Sequence, residues 1–115
     1  MEEKLALLIN KDEEYLLYHL GKNLSQNLGA SEPPMDKLIS DARKWLKDNG
    51  RKLKERICND EKVKKSVLND KAESKLETAL LIAELLSPIY TEPSSILIAA
   101  ILTIKGIKNI CDEKR

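Results

Sequence analysis

Apolar residues recur at intervals of three and four along most of the chain, a pattern typical of helices with one buried face. In the first segment they form one stripe, which comprises Leu16, Leu17, Leu20, Leu24 and Leu28. The stretch from Asn10 to Glu13 has the spacing of a capping box, and Gly29 suits the left-handed stop of a helix. The sequence therefore predicts a first helix over about residues 2–28, with a break near Asn10.

A second amphipathic stripe follows Ser31-Glu32-Pro33-Pro34, where a capping serine precedes prolines that the first turn of a helix tolerates. Its apolar members are Met35, Leu38, Ile39, Ala42, Trp45 and Leu46. Asn49-Gly50 would usually end a helix, yet Leu53 and Ile57 continue the same phase. We expect a helix that runs on to about Cys58, and a short break that preserves the phase is the alternative.

The C-terminal half contains the most apolar helices of the chain. Asn59-Asp60 can cap a short segment, and Asp70 to Glu73 has the spacing of a capping box that opens the next helix. That helix should end at Ser87-Pro88, and Pro93 should start the last one, from Ile96 to about Cys111. Both are apolar nearly all round, which indicates burial. The fold class predicted is all-α, an irregular four- or five-helix bundle with an apolar C-terminal helical hairpin formed by residues 71–87 and 94–111.

Composition supports this prediction. The 115 residues are 42% hydrophobic and 34% charged, with 3% aromatic residues and no Phe. A core of Leu, Ile, Val and Ala suits helix packing better than a β-sandwich. The length fits a single helical domain over residues 1–115. Its expected core includes Trp45, Leu46, Leu80, Ala83, Ile98 and Leu102.

Charge is concentrated in the middle of the chain. The net charge is +1 overall, but residues 36–75 carry thirteen Lys and Arg against eight Asp and Glu. The expected interaction surface consists of Arg43, Lys44, Lys47, Arg51 and Lys54. Such a row can contact phosphates, but no interleaved aromatic residues are present to stack on single strands. It also suits an acidic protein partner.

Membrane insertion is not expected to be stable. The longest unbroken apolar run, Ile96 to Leu102, has seven residues, whereas a transmembrane helix needs about 18 or more. The first residues also lack the pattern of a signal peptide, so a cytoplasmic location is expected. Cys58 and Cys111 each follow an Ile at a predicted helix end. They are interpreted as small core residues or as a thiol pair at one end of the bundle, reduced in either case.

Residues with catalytic chemistry do not form a recognisable set. His19 is the sole histidine, and no spacing ties it to a nucleophile, so a surface or half-buried helix position is expected for it. The acids Asp12, Glu13 and Glu14 fit a helix N-terminus, where the helix dipole stabilises them. Two cysteines 53 positions apart and one histidine do not make a zinc site. We therefore expect no enzyme activity, no metal and no cofactor.

Several short stretches together resemble a group of small all-helical bacterial proteins of unknown function. They are Ala42 to Leu46, Ile57-Cys58, the apolar helix that follows, and Ile104 to Cys111. The resemblance covers about residues 42–111. It implies a bacterial origin and a loose association with conflict or defence systems, and it carries over no catalytic or binding residue.

These observations favour a non-enzymatic protein–protein interaction module, a small helical subunit or regulator of a bacterial multi-protein system. It would act by binding another protein or by self-association. One alternative is a nucleic-acid-binding protein that uses the basic segment 43–56. A second alternative is a membrane-active helical hairpin.

Overall fold

The computed structural model describes residues 2–25, 33–69 and 74–112, and within these ranges it contains helices and no strand. The helices are α1 (Glu2–Leu8), α2 (Glu13–Leu24), α3 (Met35–Asp48), α4 (Gly50–Cys58), α5 (Glu61–Asn69), α6 (Ser74–Leu86), α7 (Ser94–Lys105) and α8 (Ile107–Asp112). The all-α prediction is confirmed. The described residues form more and shorter helices than the four or five predicted, because the long stripes are interrupted by brief turns.

The core is built around α7. Every residue from Ser95 to Thr103 is buried, and α1, α2, α6 and α8 all contact this helix. The nearly continuous apolar sequence of α7 gives it no polar face to turn toward water, so neighbours must cover it on all sides. The prediction that this helix is buried is confirmed.

The break predicted near Asn10 separates α1 from α2, but the residue that caps α2 is Asp12. Its Oδ1 accepts a hydrogen bond of 2.9 Å from the backbone N–H of Tyr15. The side chain of Asn10 instead donates to the carbonyl of Ala6, at the end of the preceding helix. Gly29, predicted to end this segment, lies outside the described residues.

The second stripe is divided at Asn49, which separates α3 from α4. The backbone N–H of Asn49 donates to the carbonyl of Trp45, and its own carbonyl accepts from Leu53, each at 3.0 Å. Because these bonds keep the helical spacing, Leu53 and Ile57 remain on the buried face. The expected continuous helix is therefore wrong, and the alternative of a short break that preserves the phase is confirmed.

The C-terminal hairpin pairs α6 with α7, which contact one another extensively. α6 ends before Ser87-Pro88, and α7 starts after Pro93, as predicted. The last helix does not continue to Cys111, because Gly106 adopts a positive φ of 97° and the chain turns into α8. Asp60 Oδ1 accepts from the backbone N–H of Val63 at the start of α5. The capping box expected at residues 70–73 lies outside the described residues.

Half of the expected core residues are buried. Ala83, Ile98 and Leu102 lie in the core, whereas Trp45, Leu46 and Leu80 are half-buried and pack against it. The Trp45 ring meets Tyr90 edge to face, with centroids 5.3 Å apart. Amphipathic spacing alone does not separate the centre of a buried face from its margin, which explains the difference.

Two helical glycines have opposite surroundings. A Cβ placed on Gly21 would overlap the backbone carbonyl of Leu38, so the glycine permits the close approach of α2 to α3. A Cβ placed on Gly50 would meet nothing within 4 Å. The first glycine is required by packing and the second is not.

We expect Gly21→Ala to lower the free energy of unfolding by about 1–3 kcal/mol, because overpacking outweighs the better helix propensity of Ala. Gly50→Ala should raise it by about 0.4–1 kcal/mol, because the unfolded chain loses conformational freedom. Urea denaturation followed by circular dichroism measures both. Changes of the same sign would contradict the assigned packing.

Candidate functional site

Two parallel rows of side chains run along α3 and α4. The basic row contains Arg43, Lys47 and Lys54, and the apolar row contains Leu46, Leu53 and Ile57. If Gly50 is counted as a position in each row, successive positions are four, three and four residues apart. This helical spacing places each row along one line of the helices. This local pattern survives the break at Asn49 because the break keeps the phase.

The rows form one side of a pocket of about 330 Å³, referred to below as the docking pocket. Leu17 of α2 and Leu102 of α7 extend its apolar wall, and Ile107 and Ile110 of α8 close the far side. Gly50 also lines it and leaves space where another residue would place a side chain. The interior is therefore apolar, and the charged groups lie at the rim.

An ion-pair cluster spans the rim of the docking pocket. Glu13 Oε2 lies 3.1 Å from Lys105 Nζ and 3.7 Å from Arg43 Nη1. These three residues come from α2, α7 and α3, and the Glu13 side chain is 32% exposed. Among the described residues that line the pocket, Glu13 is the sole acid, against the cations Arg43, Lys47, Lys54 and Lys105. The lining therefore keeps an excess of positive charge.

Only part of the predicted interaction surface lies in the docking pocket. Arg43, Lys47 and Lys54 line the docking pocket. Lys44 lies outside its lining and forms an ion pair of 3.1 Å with Asp48, one helical turn away. Arg51 is exposed and is also absent from the lining.

Glu13 and Lys105 belong to this site although no sequence pattern predicted them there. Glu13 was interpreted as one acid of a helix N-terminus, and Lys105 was given no role within the predicted last helix. Their positions in the chain give no signal that they meet, because the contact depends on how α2 and α7 pack. Tertiary packing alone reveals it.

A disulfide bond lies beside the pocket. Cys58 and Cys111 are bonded, with Cα atoms 5.6 Å apart, and their neighbours Ile57 and Ile110 line the pocket. The hypothesis that the two cysteines meet is confirmed. The prediction that they are reduced is wrong, because the turn at Gly106 lets α8 return to the end of α4, where the two sulfur atoms are bonded. Both residues are half-buried rather than members of the central core.

His19 lies on α2 between two tyrosine rings and is half-buried, as expected. Its ring centroid is 4.5 Å from that of Tyr15 and 5.1 Å from that of Tyr18. Burial lowers the pKa of His19, and the nearby charge of Lys22 lowers this pKa further. The imidazole is therefore mainly neutral near pH 7, where its charged form is disfavoured.

Residues 2–25, 33–69 and 74–112 contain neither a metal-binding cluster nor a membrane-spanning helix. No group of three or more His, Cys, Asp and Glu side chains there is arranged to hold a metal ion. No helix of these ranges combines the length and the apolar character needed to cross a membrane.

Comparisons of the chain with protein-family models, with curated proteins and with solved structures found no match. The function of the chain is therefore inferred from the geometry and chemistry of the pocket.

We expect reduction of the disulfide to lower the free energy of unfolding by about 2–4 kcal/mol, because the bond closes a long loop in the unfolded chain. The two cysteines are 53 positions apart. Urea denaturation with and without dithiothreitol measures the change. Cys111→Ser should match the reduced protein and should not respond to the reductant. Equal stability of the reduced and oxidised proteins would contradict a stabilising role for the bond.

Proposed function

We propose that the protein is a non-enzymatic interaction module that binds an acidic, amphipathic segment of a partner protein in the docking pocket. The observation that carries the proposal is an apolar interior bordered by four cations and one acid. Apolar side chains of the partner would move out of water and into the apolar interior of the pocket. Carboxylates beside them would meet the basic row at the rim.

The shape of the site suits a helix. The basic and apolar rows each span twelve residues across α3 and α4, which is eleven helical steps or about 16 Å at the rise of an α-helix. A helical segment of about three turns has the same length and presents apolar residues at similar intervals. A partner with leucines on one face and glutamates along its edges would complement both rows.

Nucleic acid fits the same site less well. A phosphate backbone needs cations but leaves an apolar interior unused. The two predicted contacts Lys44 and Arg51 lie outside the pocket lining, so the pocket uses only part of the basic segment 43–56. None of the described residues that line the pocket is aromatic, which removes a stacking platform for bases.

The membrane-active hairpin is also less favoured. Ser95 to Thr103 of α7 are already buried by neighbouring helices, so this hairpin would have to leave the core before it met lipid. The proposed role as a subunit or regulator of a bacterial multi-protein system follows the sequence resemblance alone. The disulfide counts against the expected cytoplasmic location, because such bonds persist mainly in oxidising compartments.

A designed peptide tests the proposal. The probe is a helix-forming peptide of three turns with leucines on one face and flanking glutamates, and the control replaces each glutamate by glutamine. Calorimetry should show saturable binding of the acidic peptide and binding weaker by about tenfold or more for the control. Absence of binding by the acidic peptide, or tighter binding of a DNA duplex at physiological salt, would overturn the proposal.

Gly50→Leu should weaken binding of this peptide by about tenfold or more, because the new side chain would occupy space in the docking pocket. Gly50→Ala is the matched control and should retain most of the affinity. Circular dichroism should show both variants folded. Unchanged binding by Gly50→Leu would place the peptide elsewhere on the protein.

Glu13→Gln should tighten binding of the acidic peptide several-fold. The Glu13 carboxylate pairs with Arg43 and Lys105, so it competes with a carboxylate of the ligand for the same cations. Glu14→Gln removes an equal charge from an exposed neighbour that does not line the pocket. Calorimetry on both variants separates the two effects, and equal tightening would show a general charge effect rather than competition at the rim.

A further inference from the structure

A second concave surface lies where α1, α2 and the start of α7 meet, and it is called the amphiphile groove below. Its volume is about 630 Å³. Its lining residues are Lys4, Leu7, Leu8, Lys11, Tyr15, His19, Lys22, Asn23, Pro93, Ile96 and Leu97. The three segments contribute residues at helical intervals of three and four, so one face of each element points into the same space.

The floor of the groove is apolar and is fixed by the core. Ile96 and Leu97 of α7 are 2% and 5% exposed, so they belong to the packed interior. Leu7 of α1 forms part of the wall with 67% of its surface exposed. The Asn23 side chain donates a hydrogen bond to Ser94 Oγ, which ties the end of α2 to the start of α7. The groove therefore has an apolar base that belongs to the core and an apolar side that water still contacts.

The charged side chains among the described lining residues of the groove are all positive. Lys4, Lys11 and Lys22 line it, and none of its described lining residues is acidic. Lys11 Nζ lies 5.1 Å from the centroid of the Tyr15 ring, a cation–π distance that places this ammonium group beside the wall. The neutral imidazole of His19 leaves the lysines as the source of positive charge near pH 7. A ligand with a single negatively charged group would complement the positive charge of these lysines.

From this combination of floor and rim, we propose that the amphiphile groove binds a single-chain amphiphilic anion, such as a fatty-acid carboxylate. An alkyl chain suits the floor because it has no polar groups that need partners when buried. A peptide backbone would need such partners, and the side chains of the floor, Ile96 and Leu97, offer none. The volume lies in the range of small-ligand sites.

This groove is separate from the docking pocket. Tyr15 and His19 face it from one side of α2, whereas Glu13 and Leu17 face the docking pocket from the other. Along α7, the groove meets Ile96 at the start and the docking pocket meets the opposite end. Ligand binding here does not depend on the proposed partner segment.

Decanoate, used below its micelle concentration, is the probe for the groove. Methyl and amide NMR spectra of the intact protein should show saturable shifts at Ile96, Leu97 and Tyr15, with a dissociation constant of about 1 mM or tighter. Decyltrimethylammonium has the same chain length and the opposite charge, and should bind weaker by about fivefold or more. Equal binding of the two amphiphiles would overturn the proposal.

Variants at exposed positions complete the test. Lys4→Gln combined with Lys11→Gln should weaken decanoate binding by about fivefold or more, while Lys52→Gln, an exposed change outside the groove, should not. Leu7→Gln should also weaken it, and thermal unfolding checks that each variant folds. The proposal fails if decanoate shifts residues of the docking pocket instead. It also fails if anionic vesicles bind the protein while free decanoate does not.

Discussion

The burial of α7 on every side is the constraint on which the rest of the structure depends. This helix presents nine consecutive buried residues, from Ser95 to Thr103, and a surface of that kind cannot face water without a large loss of hydrophobic stabilisation. α1, α2, α6 and α8 all contact it. A long straight helix covers one side of a neighbour, whereas short helices joined by turns can cover several. The breaks near Asn10 and at Gly106 let the described part of the chain surround its most apolar segment.

Local signals in the sequence predicted the helices better than the breaks between them. Pro88, Pro93 and the capping Asp60 mark helix limits by chemistry that acts within a few residues, and the structure follows them. The break at Gly106 escaped prediction because apolar residues continue through it, so the pattern did not reveal the positive φ. The partial exposure of Leu80 was not predicted for a related reason. Periodicity indicates which face of a helix is buried, but not how far a neighbouring helix extends over that face.

Some residues of the docking pocket could likewise be predicted from local sequence, whereas others join it only through tertiary packing. The row Arg43, Lys47 and Lys54 follows from helical spacing on one stretch of chain, and its place beside an apolar row could be predicted. Glu13 and Lys105 join it through the packing of α2 and α7, which no short spacing encodes. The same holds for the bond between Cys58 and Cys111, where sequence left adjacency open and the fold of α8 decided it.

The ion-pair cluster at the rim has different consequences for stability and for binding. Glu13, Arg43 and Lys105 are partly exposed, and pairs of this kind contribute at most about 1 kcal/mol to folding. The apolar walls and the disulfide beside them can hold the pocket in shape without that cluster. A ligand carboxylate that displaced Glu13 would replace one ion pair by another, with little loss of fold stability. The walls thus determine whether the pocket exists, while the Glu13 carboxylate affects how strongly it attracts an anion.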